Sequence, residues 1–300
     1  MNDKLLLVDA FSMIYRAFYA IRALNAPDGT PVNAIFGFTK MLRKLLATHA
    51  PTHCAVVFDR GAPQRRLTLL PSYKEQRPPT PPDLENQLDG IRELLDAMRV
   101  SLAEIHGEEA DDIIAALAVR AAENKFDVLI ASQDKDFFQI VAPRVRLLRP
   151  DNTDAAPIDA AGVETRIGLT PEQIVDYLSL IGDSVDNIPG VPGIGPKTAV
   201  ELLREHHDIT TLLARADQIT KPKLRASLLA NTDRLKLNHE LIRLKTDIEL
   251  PWTLQEFKVQ SSDSNRLKEL FTRYGFRSLL AELEPPPSRK TNSDELLLNL

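Results

Sequence analysis

The sequence predicts an α/β fold on a parallel sheet, followed by an all-helical part. Three observations carry that expectation. Short apolar runs at residues 5–8, 55–58 and 128–131 are separated by stretches of helical spacing. Continuous apolar runs of this length suit strands buried on both faces, and the helical stretches between them suit crossovers joining parallel neighbours. From about Thr170 onward the pattern is helical only.

Taken in order, the first strand ends on Asp9, the second on Asp59, and the third runs through Ser132 and Gln133 into Asp134. Weaker strand candidates lie at residues 100–105 and 145–148. Leu84, Leu88, Ile91 and Leu95 share one helix face, as do Ile113, Leu117 and Ala121. Residues 61–83 read differently. They hold Arg65, Arg66, Tyr73, Lys74 and Arg77 and a proline run, with few core-type residues after Leu70, so the expectation is a mobile excursion outside the core. Thr170-Pro171-Glu172-Gln173 is a helix start: a threonine cap, proline in the first turn and glutamine three residues on. That helix runs to about Ile181; a glycine-rich turn follows, then a second helix from about Lys197. The expected units are a core at 1–168, a helical part at 169–283, and a tail from 284 with three consecutive prolines. No internal repeat is visible.

The chain has 300 residues, 43% hydrophobic and 26% charged, ordinary for a globular protein. Cys54 is the sole cysteine, which excludes a disulfide framework and a cysteine-based zinc site. The six histidines form no HExxH pairing. The N-terminal apolar run is too short for a signal peptide or a membrane span, so a cytoplasmic location is expected. The net charge of −5 becomes +4 once nine acids of a candidate metal site are set aside, so bulk charge does not exclude DNA as a partner.

The carboxylates carry the chemistry. In an open parallel sheet the carboxyl ends of the strands share one edge, where ligands bind. Asp9, Asp59, Asp134 and Asp136 are all delivered to that edge. Glu109, Asp111 and Asp112 open a helix; by spacing, Glu109 and Asp112 share a face and Asp111 is rotated away. Asp183 and Asp186 follow the helix that starts at Thr170. Crowded carboxylates repel and raise one another's pKa unless a cation neutralises them. An oxygen-only set favours Mg²⁺ or Mn²⁺, and this many acids point to two ions, which together activate water and stabilise a leaving oxygen. Singly, each aspartate is as well explained as a turn or helix cap; it is the number of them that points to a site.

The turn Gly190-Val191-Pro192-Gly193-Ile194-Gly195-Pro196-Lys197-Thr198 is not a P-loop, because Pro196 separates Gly195 from Lys197. It reads as a helical hairpin that grips a nucleic-acid backbone, with free N–H groups at the second helix start, Lys197 and Thr198 nearby, and Gly190, Gly193 and Gly195 allowing close approach. Arg66, Tyr73, Lys74 and Arg77 suit a phosphate clamp with a stacking face. Arg16, soon after the first strand, is a further candidate for the substrate phosphate.

Together these motifs resemble the 5′-nuclease superfamily: the 5′–3′ exonuclease domain of bacterial DNA polymerase I, phage 5′-exonucleases and flap endonucleases. The resemblance spans residues 4 to 283 and rests most heavily on the string from Gly182 to Ala199. It implies a PIN-like parallel-sheet core with a helical arch at about 61–83 and a helix–three-turn–helix at about 170–206. Asp9, Asp59, Glu109, Asp111, Asp112, Asp134, Asp136, Asp183 and Asp186 would hold two Mg²⁺ or Mn²⁺. Lys74 and Arg77 would act at the scissile phosphate, Arg66 and Tyr73 would belong to the arch and its base, and the turn at 190–195 would hold K⁺ while contacting duplex phosphate. The implied activity is 5′–3′ exonuclease and flap endonuclease hydrolysis in DNA replication and repair, on 5′ flaps, nicks, branched ends or RNA primers, by a monomer. Ala10, Gln133 and Arg65 depart from the usual residues without removing a charge from the metal set. The acidic, apolar stretch at 294–300 is a candidate contact for a polymerase or sliding clamp. The alternative reading is a catalytically silent module that binds DNA junctions.

Overall fold

The computed structural model describes residues 3–283 except 151 and 153. The expected tail from 284 onward, including its candidate partner contact, lies outside the described residues. Five parallel strands form the central sheet: β1 (Lys4–Asp9), β2 (His53–Val57), β3 (Ser101–Ala103), β4 (Asp127–Ala131) and β5 (Val145–Leu148), in the order β3-β2-β1-β4-β5. The chain first builds outward from β1 through β2 to β3, then crosses back to place β4 on the other side of β1. The strand order therefore reverses between β1 and β4, and such a switch point opens a crevice at the carboxyl ends of the strands.

Alternation along each strand divides the core in two. Leu5, Leu7, Val57, Val128 and Ile130 face one layer, and Leu6, Val8, Val56, Leu129 and Ala131 face the other. Leu5, Leu6 and Leu7 are wholly buried, each worth roughly 1.5–3 kcal/mol relative to exposure. The second layer packs on α1 (Ala10–Ala20) and α2 (Asn33–His49).

Between β2 and β3 lie α3 (Gln64–Leu69), α4 (Pro82–Glu85) and α5 (Leu88–Ala97). The single helix expected from Leu84 to Leu95 is thus broken at residues 86–87. The reason is Gln87, fully buried, whose side chain accepts from the backbone N–H of Ala34 (2.8 Å) and Ile35 (3.3 Å) and donates to Asn33 Oδ1 and Asp83 O. It satisfies orphan donors at the start of α2, for which the sequence offers no local cap.

The remaining helices are α6 (Ala110–Glu123), α7 (Ala160–Ile167), α8 (Ile174–Ile181), α9 (Pro196–His206), α10 (Ile209–Ala214), α11 (Pro222–Ala230), α12 (Thr232–Ile242), α13 (Ser264–Arg273) and α14 (Arg277–Leu283). The capping box at Thr170 is present, opening a short 3₁₀ turn that leads into α8. Helices α8 to α12 share the first core layer with α6. Within the expected helical unit at 169–283, the last two helices pack on the other layer. Leu267, Leu270, Phe271 and Leu279 of α13 and α14 return to the second layer, and Arg273 and Arg266 pair with Glu93 and Asp96 of α5.

Candidate active site

The three strand-end aspartates each spend an oxygen on local structure. Asp9 Oδ1 caps α1 by accepting from Ser12 N at 3.1 Å, and its Oδ2 accepts from Ser132 Oγ at 2.7 Å. Asp134 Oδ1 accepts from Asp136 N at 2.9 Å, opening a 3₁₀ turn at Lys135–Ile140. Asp59 Oδ1 accepts from Ala110 N at 2.8 Å, holding the start of α6 against the end of β2. The capping reading of single aspartates is therefore true as far as it goes. These same bonds aim the carboxyl groups, because Asp9, Asp59, Asp111 and Asp134 together line one cleft of about 470 Å³. Ser12 and Ser132, unmarked in the sequence, tie β1 to β4: Ser132 Oγ also accepts from Asp134 N, and Ser12 Oγ from Gln133 N, each at 3.1 Å.

The acids that open α6 sort as the spacing argument has it, with Glu109 and Asp112 on one side and Asp111 on another. Asp111 faces the cleft. Asp112 faces away, 1% exposed, paired with the Arg66 guanidinium (Nη2 to Oδ1, 3.0 Å) and accepting from Lys245 N at 2.9 Å. Asp112 is thus held by Arg66 and does not line the cleft. Glu109 lies between, bonded to Arg66, Lys74 and the Tyr73 hydroxyl. Glu109 is the extended cap residue of α6, which begins at Ala110, and its carboxylate still meets the same Arg66 nitrogen as that of Asp112.

The excursion at 61–83 is folded down. Leu67, Leu69 and Leu70 pack on the first core layer, and Tyr73 is 5% exposed. Arg66, 4% exposed, donates to Leu241 O at 2.9 Å as well as to Glu109 and Asp112. Arg66 and Tyr73 are both buried and bonded to the acids, which is not the open clamp expected of them. Lys74 and Arg77 do line the cleft. The base of this segment is stitched to residues 183–187: Lys74 N to Asp186 O (3.1 Å), Asn187 Nδ2 to Ser72 O (2.7 Å), Gln76 Nε2 to Asn187 Oδ1 (3.0 Å) and Tyr73 Oη to Asp186 Oδ2 (2.8 Å). Lys74 and Asn187 both adopt positive φ (57° and 58°), a strained conformation maintained by these bonds.

Asp183 and Asp186 are presented by a two-stranded hairpin, β6 (Gly182–Asp183) and β7 (Ile188–Pro189), which the sequence did not announce. Gly182 (φ +73°) and Gly190 are needed for packing: a Cβ on Gly190 would sit 2.2 Å from Ile181 O, and one on Gly182 would sit 2.3 Å from Gly190 N. Gly193 and Gly195, by contrast, face open space, beside an exposed Lys197 and a half-buried Thr198 at the start of α9. Arg16 is exposed on α1, off the stripe that lines the cleft.

The charges are tightly interlocked. Arg77 pairs with Asp186 at 2.6 Å, Lys135 with Asp183 at 3.2 Å, and Lys74 with Glu109. Burial, reinforced by Asp59 and Asp134, pushes the Asp9 carboxyl up to about 6. Burial and like-charged neighbours hold Asp111 and Asp136 well above the usual carboxylate range; burial also raises Asp59 and Asp134. At Asp186 burial is outweighed by Lys74, Arg77 and Tyr73, and its carboxyl lies below that range. Asp136 Oδ1 is buried without a hydrogen-bond partner. Among the described residues no three Asp, Glu, His or Cys side chains stand in ready-made coordination geometry. The lysine and arginine partners hold several of the acids instead.

Two family models match the chain: the 5′–3′ exonuclease N-terminal resolvase-like domain over residues 4–168 and the 5′–3′ exonuclease C-terminal SAM fold over residues 169–265. The chain belongs to the 5′–3′ exonuclease family. A 5′–3′ exonuclease of Aquifex aeolicus is 35% identical over 280 residues, covering 93% of this chain and 95% of that protein. DNA polymerase I of Bacillus caldotenax is 41% identical over 292 residues, 97% of this chain and 33% of that protein. The chain thus spans about a third of the length of the polymerase relatives it matches. Among solved structures, the bacteriophage T5 flap endonuclease in complex with DNA and metal ions superposes with a TM-score of 0.68 at 21% identity, covering 93% of this chain and 98% of that one. The catalytic core of Rad2 in complex with DNA substrate gives 0.62 at 19%, covering 94% and 93%. Both confirm the α/β fold of the exonuclease family member described here. No described helix is long and apolar enough to cross a membrane.

Proposed function

We propose that this chain is a divalent-metal-dependent 5′–3′ exonuclease and flap endonuclease that hydrolyses DNA phosphodiesters near 5′ ends during replication and repair. One observation carries the reading: in a chain of the 5′–3′ exonuclease family, Asp9, Asp59, Asp111 and Asp134 share a cleft with Lys74 and Arg77 at the switch point of the sheet. The same acids fit a hard cation. They are oxygen-only donors, burial and crowding leave them starved of positive charge, and Asp136 keeps a buried oxygen with no partner.

Asp9, Asp59, Glu109, Asp111, Asp134, Asp136, Asp183 and Asp186 would hold two Mg²⁺ or Mn²⁺; Asp112 supports the set by orienting Arg66. Bound there, the ions supply Lewis acidity toward the phosphodiester and lower the pKa of water. Lys74 and Arg77 carry the protein's own part. A phosphate entering the cleft competes with Glu109 and Asp186 for their charges, and the strained backbone at Lys74 fixes where that charge sits. The exposed turn at Gly193 and Gly195, with Lys197 and Thr198, is suited to duplex phosphate and to K⁺ on its carbonyls. Flaps, nicks, branched ends and RNA primers are the substrate classes, and a monomer suffices.

The test is cleavage of a 5′-end-labelled flap duplex with Mg²⁺ and with EDTA, beside a blunt duplex and a matching RNA flap. Mg²⁺-dependent release of the flap is the expected result. Tight binding without cleavage in any divalent ion would replace this reading with the silent junction-binding module.

A further inference from the structure

We infer that the apolar lining of the cleft is a nucleobase pocket, with Tyr19 as the stacking face and Val185 as the opposite wall. This rests on the nuclease reading and assigns the part of the cleft that reading leaves unused. Besides the acids, Lys74 and Arg77, the cleft is lined by Phe11, Tyr15, Tyr19, Pro78, Pro79 and Val185, an apolar share that metal and phosphate do not use.

Phe11, Tyr15 and Tyr19 recur every four residues on α1 and so form one stripe along the helix. The Tyr15 and Tyr19 rings are nearly parallel, 16° apart with centroids at 6.3 Å. Phe18 meets Tyr19 edge-on at 5.1 Å, and the Tyr15 hydroxyl lies 3.1 Å from Thr80 Oγ1. The outermost ring is thus braced by neighbours while its own face stays open. Tyr19 is 69% exposed and Val185 63%. They are the two most exposed large hydrophobic side chains among the described residues, and both line the same cleft.

Exposed apolar groups gathered beside phosphate-seeking cations call for a ligand that is flat and aromatic at one end and anionic at the other. A nucleotide has that form. With its phosphate at Lys74 and Arg77, its base reaches the apolar lining. Tyr73, the aromatic to which the sequence points for stacking, is buried and bonded to Asp186. Val185 lies between Asp183 and Asp186, so the wall of the pocket belongs to the same hairpin that presents two of the acids.

The experiment compares the wild-type protein with Tyr19→Ala, Tyr19→Phe and Val185→Ser on a flap duplex, and on the same duplex with an abasic site beside the scissile phosphate. A duplex with 2-aminopurine at that position, bound in EDTA, reports stacking. Tyr19→Ala is expected to lower kcat/KM about tenfold, Val185→Ser to lower it in the same direction, and Tyr19→Phe to retain it. The abasic site should cost the wild type as much, and cost Tyr19→Ala nothing further. Quenching of 2-aminopurine should be lost in Tyr19→Ala. Wild-type cleavage with undiminished cleavage and quenching by Tyr19→Ala, or additive losses on the abasic substrate, would overturn the pocket alone. A wild type that cleaves neither duplex with Mg²⁺ or Mn²⁺ would overturn the nuclease reading, and the pocket with it.

Discussion

Replacing Arg66 with methionine removes the guanidinium while keeping an unbranched apolar stem. In the native protein that group, 4% exposed, joins three parts of the chain: Glu109 and Asp112 at the start of α6, Leu241 O at the end of α12, and its own helix α3. Removing one partner of a buried ion pair costs about 3–5 kcal/mol, because the other charge stays desolvated and unpaired. Here the loss falls mainly on Asp112, which keeps only Lys245 N, since Glu109 retains Lys74 and Tyr73. That cost is a large fraction of the roughly 5–15 kcal/mol stabilising an ordinary domain. It corresponds to a fall in Tm of roughly 10 °C for a chain of this size. Urea and thermal unfolding in EDTA measure it. Adding Asp112→Asn should recover part of the loss, since the two residues share one network. At a temperature where the variant is folded, its affinity for flap DNA should be unchanged. A loss under about 1 kcal/mol, or a DNA affinity that falls while stability holds, would refute the placement of Arg66 as a buried tie.

Asp134→Asn should abolish cleavage while leaving DNA binding intact and metal-free Tm unchanged or slightly raised, because one of several repelling charges is removed; full activity would sink the metal-cluster assignment. Lys74→Ala should slow single-turnover cleavage far more than it weakens binding, and equal losses would make it an ordinary phosphate contact. Gly190→Ala should lower stability by roughly 2–4 kcal/mol, since its Cβ would fall 2.2 Å from Ile181 O and neither backbone can yield; a neutral result by urea unfolding would refute the close packing of the 182–190 hairpin. The pH dependence of stability in EDTA carries a definite sign. Asp9, with its carboxyl pushed up to about 6, binds a proton more readily folded than unfolded. Between pH 4 and 6 it therefore makes stability fall as pH rises, on the order of 3 kcal/mol. Asp186 acts oppositely, stabilising above the ordinary carboxylate range and losing that contribution on acidification. Unfolding at pH 4, 5, 6 and 7 should show a net decline that Mg²⁺ reverses at pH 7; a steady rise with pH in EDTA, untouched by Mg²⁺, would contradict it.

Much of this was legible from order alone. Continuous apolar runs ending on aspartate told both that the strands are buried and parallel and that their carboxyl ends gather acid, because strand direction and the two-residue period are local properties. The strand at Val145–Leu148 and the capped start at Thr170 were readable for the same reason. What a side chain faces across the molecule was not. Spacing grouped Asp112 with Glu109, but it could not tell that Arg66, from a distant segment, would pair with both and leave Asp111 to the cleft. Composition made residues 61–83 a loose basic loop, yet bonds to residues 183–187 fold its base into the site. Tyr73 and Tyr19 look interchangeable as aromatics beside cations, and only packing decided that one is buried under the acids and the other stands open in the cleft. Local chemistry set which residues were available to bind metal and phosphate. Burial and long-range pairing, which depend on segments distant in the chain, decided which of them point into the cleft and which hold it together.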